Sequence, residues 1–311
     1  IIANPLFFSG RIPYPLAQFP SSCGMSMENT SKSILVTGCS SGIGYHCARI
    51  LHDRGYLVVT SARKQADVNK LKENGWHAVL LDVDDDKSIE SGLEACLRIT
   101  AGKLDFLFNN AGFGQPGAVE DLTRKNLERQ FTTNVFGTFE LTRRVIKLMR
   151  QQGHGRIAFN SSVLGLVSLP FRGAYNASKH AMEGLTDTLR MELKMTQTNI
   201  QVGLIEPGPV ESLFRQNALM ALRDNLNFSE SPHKQAYESV IKRLAKPGPA
   251  APFTLPADAV AAKLIDFLES TKPKPRYYVT FPTYLFGYLK RILSTNALDR
   301  VLMKVSRGEN K

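Results

Sequence analysis

From Ser33 onward, short apolar runs rich in β-formers alternate with helix-length segments, and this rhythm restricts the chain to few folds. "SILVT" (33–37), "YLVVTS" (56–61), "HAVLL" (77–81), "LDFLFN" (104–109), "RIAFNS" (156–161), "IQVGLI" (200–205) and "RYYVTF" (276–281) read as buried strands. Between the first six lie spans with helical periodicity or capping signals, among them 42–54, 86–99 and one long helix over 123–150. Strands separated by helices cannot pair as hairpins, so the expectation is an α/β, doubly wound parallel sheet of about seven strands with helices on both faces. Each crossover is expected to be right-handed.

Residues 211–256 break the alternation with partly helical sequence that ends in the proline-rich "KPGPAAPFTLP" (246–256). An insertion after the sixth strand is well placed to cover a ligand crevice at the strand ends. The organisation expected is therefore a single domain over 31–283 with this cover, followed by a basic amphipathic helical tail over 284–311. Residues 1–30 lack a cationic leader region and are interrupted by prolines, so they read as extraneous or disordered rather than as a secretory signal, with the native start near Met25 or Met27.

The loop after the first strand, "TGCSSGIG" (37–44), carries glycines at 38, 42 and 44. A tight turn, a close approach to a pyrophosphate and close helix packing each favour a missing side chain at these positions. The helix that follows presents free N–H groups to the anion. The second strand ends in "TSARK": Ala62 stands where an NAD site usually places a carboxylate, and Arg63 beside it suits a 2′-phosphate, with Lys64 and Ser40 as secondary contacts. The cofactor expected is NADP(H). Asp82, closing the third strand, is placed to reach an adenine amine, and a turn-capping aspartate looks the same in sequence.

"TGCSSGIG", "NNAG" (109–112), Asn134, Ser162, "YNASK" (175–179) and "EPGPV" (206–210) follow one another in the order and at the spacing of the short-chain dehydrogenase/reductase family, which the chain resembles strongly over 33–210. Their wording is most similar to the branch of hydroxysteroid and retinol dehydrogenases and bacterial NADP-dependent aldehyde reductases. The resemblance implies a Rossmann-type sheet and a catalytic set of Asn134, Ser162, Tyr175 and Lys179. It implies cofactor contacts from Gly38, Ser40, Ser41, Gly42, Ile43, Gly44, Arg63, Asp82, Val83, Asn109, Ala111, Gly112, Tyr175, Lys179, Pro207, Gly208, Val210 and Ser212. Ser212 stands where the family often has threonine. Asn134 is implied as the residue that holds a relay water near Lys179. Association as a homodimer or homotetramer is likewise implied by resemblance alone.

The chemistry of the central residues is legible without the family. Tyr175 and Lys179 are four apart and share a helix face, so the ammonium can sit beside a phenol whose ordinary pKa is near 10. The positive charge favours the phenolate; in the reductive direction the same hydroxyl is a general acid. Ser162, at a strand end, would donate a hydrogen bond to the carbonyl oxygen as its charge develops. Ser161 would point the opposite way along an extended chain.

Around this set lie Val163, Leu164, Leu166, Val167, Leu169 and Phe171, and the cover adds Leu213, Phe214, Leu219 and Met220, with no clear basic cluster. The expectation is an NADP(H)-dependent oxidoreductase that interconverts a hydrophobic aldehyde or ketone and its alcohol. The alternative is a non-catalytic dinucleotide-sensing or membrane-surface protein of the same fold. The net charge of +11 is concentrated at the end: residues 241–311 hold 13 Lys/Arg against 5 Asp/Glu. No nucleic-acid motif accompanies it, so a nucleic-acid partner is not expected; the tail has two readings, peripheral contact with a membrane surface or packing on the domain with its charges outward. Leu285, Leu289, Ile292 and Leu293 share one helical face there. The histidines show no metal-ligand spacing, and Cys23, Cys39, Cys47 and Cys96 form neither a disulfide framework nor a metal pair, so no metal is expected and the location fits a reducing cytoplasm.

Overall fold

The computed structural model describes residues 31–249 and 251–309. The expectations for residues 1–30, Cys23 included, lie outside the described residues.

Seven parallel strands form one sheet in the order β3-β2-β1-β4-β5-β6-β7. They are β1 (Ser33–Val36), β2 (Leu57–Ala62), β3 (His77–Leu80), β4 (Phe106–Asn109), β5 (Gly155–Asn160), β6 (Ile200–Glu206) and β7 (Arg276–Tyr278). Alternation along β1 sorts the two core layers. Ile34 and Val36 pack with α1 (Gly42–Asp53), α2 (Gln65–Glu73) and α9 (Asp258–Glu269). Leu35 packs on the opposite face with α3 (Asp86–Ile99), α5 (Thr138–Gln152) and α6 (Gly173–Met195). Chain order reverses between β1 and β4, so a crevice opens beyond their carboxyl ends, where a dinucleotide is bound in sheets of this type.

The single helix expected over 123–150 is interrupted. α4 (Arg124–Phe131) begins with a reciprocal capping box between Thr123 and Asn126, and a π-helical turn over Thr132–Gly137 separates it from α5. A side chain on Gly137 would fall 1.7 Å from the carbonyl oxygen of Val83, so this segment lies directly against the end of the third strand's loop. The seventh strand is also shorter than expected. Thr280 caps a new helix, α10 (Phe281–Ile292), with proline in its first turn, and Pro282 cannot continue a central ladder.

In the cover, α7 (Phe214–Asn225) and α8 (Lys234–Ala245) build a small core of their own around fully buried Tyr237. The Tyr237 hydroxyl donates to Asp121 and accepts from the Ala118 amide, fixing the cover to the loop after β4. α10 crosses the boundary expected at residue 283. With α11 (Thr295–Glu309) it packs on residues 164–169 through Phe286, Leu289 and Leu302. The face expected to unite Leu285, Leu289, Ile292 and Leu293 is thus split: Leu289 faces protein, while Leu285 and Ile292 are exposed.

Candidate active site

The loop joining β1 to α1 needs its glycines for two separate reasons. Gly38 and Gly42 have φ of +70° and +58°, and a side chain at Gly44 would lie 2.4 Å from the Gly38 carbonyl oxygen. The result is a narrow cradle in which Ser41 caps α1 without a side-chain hydrogen bond, leaving the first helical N–H groups to an outside acceptor. This donor set fits the pyrophosphate of a dinucleotide. Ser40 is exposed at the loop tip, and Ile43 lines the cavity below.

At the end of β2, Ala62 is buried and Arg63 exposed. Asp82 accepts from the Asp84 amide at 3.1 Å, the turn-capping geometry, and Val83 is buried under the π-helical segment. Asn109 turns away from the crevice: its amide donates to Thr142 of α5 at 2.9 Å. Its neighbour Asn110, which sequence reasoning passed over, faces the crevice. Asn110 holds the Thr37 carbonyl at 2.9 Å and that of Gly38 at 3.2 Å, and its carbonyl accepts from Asn160 at 2.9 Å. Ala111 underlies Gly38, with its Cα 2.9 Å from where a Gly38 side chain would sit, and Gly112 lines the cavity.

Asn134 does not reach Lys179 directly. From the π-helical turn it brackets Phe113, accepting from its amide at 3.1 Å and donating to its carbonyl at 3.0 Å, and it donates to Ser178 at 3.0 Å. Its geometry ties the loop after β4 to α6, the helix carrying Tyr175.

The structure brings Ser162, Tyr175 and Lys179 together. Extended backbone at the end of β5 sends the two serines opposite ways: Ser162 hydrogen-bonds Tyr175, and Ser161 donates to Glu183. Lys179 lies one turn after Tyr175, its Nζ 5.6 Å from the tyrosine ring centre and donating to the Asn160 carbonyl at 2.6 Å. Burial pushes the Tyr175 hydroxyl up to about 12, against smaller lowering effects of Ser162 and Arg172. Burial also brings the Lys179 ammonium down to about 8, opposed by the carboxylate of Glu183. The carbonyl oxygen of the Asn160 side chain is buried beside this pair, with no hydrogen-bond partner among the described residues. An unmet acceptor in a site holding a buried cation marks a place for a ligand donor.

Over these residues lies a cavity of about 580 Å³. Pro207, Gly208, Val210 and Ser212 form its wall on the β6 side, and Phe214 of the cover sets its ring 5.2 Å from that of Tyr175. Val163, Leu164, Val167 and Leu169 line it as well, whereas Leu166, Phe171, Leu213, Leu219 and Met220 do not. Where no clear basic cluster was expected, Arg172, Arg215 and Arg243 are on the wall. Arg215 spends its guanidinium on the carbonyls of Arg243, Lys246 and Gly248, closing the cover on itself. Among the described residues there is no cluster able to hold a metal ion, and Cys39, Cys47 and Cys96 are buried free thiols.

Sequence reasoning also missed what stands behind the site. Arg276 of β7 reaches Glu183 at 2.9 Å, Asp187 at 2.7 Å and Glu206 at 3.1 Å, the last close enough for an ion pair but not aligned for a hydrogen bond. Glu183 stands four residues after Lys179, a helical spacing that was the available signal.

The short chain dehydrogenase family model matches residues 32–221. The uncharacterized oxidoreductase YbbO of Escherichia coli (strain K12) is 41% identical over 271 residues, covering 87% of this chain and 94% of that protein. Retinol dehydrogenase 8 of Bos taurus is 36% identical over 203 residues, 62% of this chain and 64% of its own. Among solved structures, a short chain dehydrogenase/reductase from Burkholderia phymatum in complex with NAD has a TM-score of 0.71 at 25% identity, covering 90% of this chain and 98% of that one. A match across more than half of the chain, on this sheet order, leaves one placement: the chain belongs to the short-chain dehydrogenase/reductase family of oxidoreductases, which bind a nicotinamide dinucleotide.

Proposed function

We propose that the protein reduces hydrophobic aldehydes or ketones to alcohols with NADPH, with Tyr175 as general acid. The observation that carries this reading is a buried, neutral tyrosine hydroxyl hydrogen-bonded to Ser162, with the Lys179 ammonium beside its ring, at the floor of a largely apolar cavity. When bound, the reduced nicotinamide supplies a hydride to the carbonyl carbon. Ser162 holds the substrate oxygen by a donated hydrogen bond, and Tyr175 transfers its Oη proton to that oxygen as charge builds on it. Lys179 stabilises the tyrosinate left behind until solvent returns a proton. The Gly38–Gly44 loop takes the pyrophosphate, Asn110 and Gly112 border the adjoining ribose, and Pro207, Gly208, Val210 and Ser212 border the nicotinamide. Asn134 acts as a positioning residue, and the 211–256 cover as the substrate enclosure of a domain that runs from residue 31.

The substrate class is tested with a straight-chain aldehyde series. A largely apolar wall favours each added methylene by about 0.8 kcal/mol, so kcat/KM with NADPH is expected to rise about fourfold per methylene until the cavity is filled. A flat series, or better turnover of short polar sugars, would overturn the apolar reading and leave the reductase assignment standing.

The choice of dinucleotide rests on Ala62 and Arg63. An exposed guanidinium at the end of β2, with no carboxylate in the neighbouring position, suits a 2′-phosphate. A charge-assisted hydrogen bond contributes about 1.5–3 kcal/mol, so NADPH is expected to bind roughly ten- to a hundredfold more tightly than NADH. Ala62→Asp combined with Arg63→Leu is expected to invert the ratio. Equal affinity of the unmodified protein for both, measured by fluorescence titration, counts against the assignment.

A further inference from the structure

α10 carries Phe281, Tyr284, Leu285, Tyr288 and Ile292 along one side, and all five are exposed, from 39% for Leu285 to 75% for Ile292. Their spacing of 3, 1, 3 and 4 residues puts them in one row, while Thr283, Phe286 and Gly287 on the other side are buried. Phe253 of the cover sets its ring 4.9 Å from that of Phe281 and extends the apolar surface. Phe253, Phe281 and Leu285 also line the cavity, so the row begins at its mouth.

α11 exposes a different row. Arg300, Met303, Lys304 and Arg307 share a shallow groove on its outer side, while Leu302 is buried on its inner side. Gly308, next to Arg307, lines the cavity wall. Residues 281–309 hold five Lys/Arg, namely Lys290, Arg291, Arg300, Lys304 and Arg307, against Asp299 and Glu309.

Both rows reach the rim of the cavity, the aromatic and aliphatic one through Phe281 and Leu285 and the cationic one through Gly308, and together they have the composition of a surface that lies in a lipid interface. The rings enter the acyl boundary while long basic side chains stay at the headgroups. A two-fold contact between copies of this chain would bring the same five cations to both sides of the interface, a like-charge juxtaposition; an anionic bilayer complements both rows at once. We infer that the α10–α11 face docks on an anionic membrane surface, with the mouth of the cavity set at the level of the lipid headgroups. This surface does not depend on the catalytic reading, since binding to vesicles and turnover can fail separately.

Sedimentation of the full chain with vesicles of phosphatidylcholine alone, or of phosphatidylcholine mixed with phosphatidylglycerol, tests the inference. Binding to the mixed vesicles at low salt is expected, at least about tenfold stronger than to phosphatidylcholine alone and weakened by added salt. Tyr288→Ser with Ile292→Ser is expected to lower the partition about tenfold or more. Arg300→Gln, Lys304→Gln and Arg307→Gln together are expected to lower it about a hundredfold, at roughly fivefold per charge. Neither set touches the cavity wall, so both should turn over a short water-soluble aldehyde within about twofold of the parent. The glutamine set changes only exposed charges and keeps the test valid if the serine pair impairs folding. Absence of sedimentation at low salt overturns the inference, as does binding that the serine pair leaves unchanged, which would be a mere polyanion contact. Light scattering that shows the serine pair splitting a homodimer, without vesicle binding by the parent, would assign the face to a second copy instead.

Discussion

Tyr175→Phe is expected to lower kcat for carbonyl reduction by about 10²- to 10⁴-fold while leaving dinucleotide affinity within about twofold. The substitution keeps the ring that packs against Phe214 and lies 5.6 Å from the Lys179 ammonium, and removes only the proton donor. Because burial holds the Tyr175 hydroxyl near 12, the unmodified protein carries it as a neutral acid throughout the physiological range. The pH dependence of reduction should therefore follow Lys179. Its ammonium, brought down to about 8 by burial, is charged below that value and neutral above it. Reduction rates are expected to be flat at lower pH and to fall as pH rises through about 8, where the product tyrosinate loses its neighbouring positive charge. Near-parental kcat in Tyr175→Phe, measured as single-turnover NADPH oxidation, would remove Tyr175 from the mechanism. A Lys179→Met variant whose dinucleotide affinity is unchanged would remove the lysine from the cofactor site.

The sheet was legible in sequence because a parallel strand buried on both faces must be almost wholly apolar, and runs such as "SILV" and "IQVGLI" have few other uses. All seven strands lie within the expected runs or within two residues of them. Only the end of β7 differs by more, because capping at Thr280 and proline at 282 act over a shorter range than hydrophobic patterning. The glycine loop was legible for a similar reason, since steric exclusion at Gly38, Gly42 and Gly44 leaves a mark in the residue type. Groups that act through distant partners left no such mark. Asn110 and Asn109 are the same residue type, yet one faces the crevice and holds Thr37, 73 residues before it, and the other reaches Thr142, 33 residues after it. The interruption of the long helix at Thr132–Gly137 ends in a glycine packed on Val83, 54 residues earlier, and no local pattern announces that contact. Arg215, which nothing in the sequence sets apart from other cations, staples the cover through three carbonyls.

Arg276→Met is expected to destabilise the fold by about 3–5 kcal/mol at pH 7, the cost of taking from Glu183 and Asp187 the cation they share beside the buried Glu206. Arg276 stands among Glu183, Asp187 and Glu206, of which Glu206 is wholly buried and makes no side-chain hydrogen bond among the described residues. Asp187 has a second partner in Arg190, and the Glu183 carboxylate also accepts from Ser161; among the described residues Glu206 is ion-paired with the Arg276 guanidinium alone, with Arg291 acting on it from beyond ion-pair distance. Burial, together with the nearby Glu183 carboxylate, pushes Glu206 up to about 9 against the opposing pull of Arg276. The sign of the linkage follows from that direction. A carboxyl whose folded pKa lies above its unfolded value binds more protons in the native state, so its contribution is fully present below the ordinary carboxylate range. It is lost as pH rises toward about 9. Urea unfolding of the unmodified protein should therefore show stability declining between about pH 5 and 9 from this group, and in Arg276→Met the decline should continue to higher pH, because the main opposing cation is gone and only Arg291 is left to oppose the shift. Glu206→Gln separates this account from simple loss of packing. It keeps the side-chain volume and removes the ionisable group, so it should flatten the decline and recover part of the loss when combined with Arg276→Met. If Arg276→Met unfolds within about 1 kcal/mol of the parent, or if Glu206→Gln leaves the pH slope unchanged, the carboxyl cluster is not where this stability resides. Because Glu206 is the last residue of β6, directly before Pro207 and Gly208 on the cavity wall, and Glu183 lies one turn beyond Lys179, Arg276→Met is also expected to raise KM for the dinucleotide as well as lower the melting temperature.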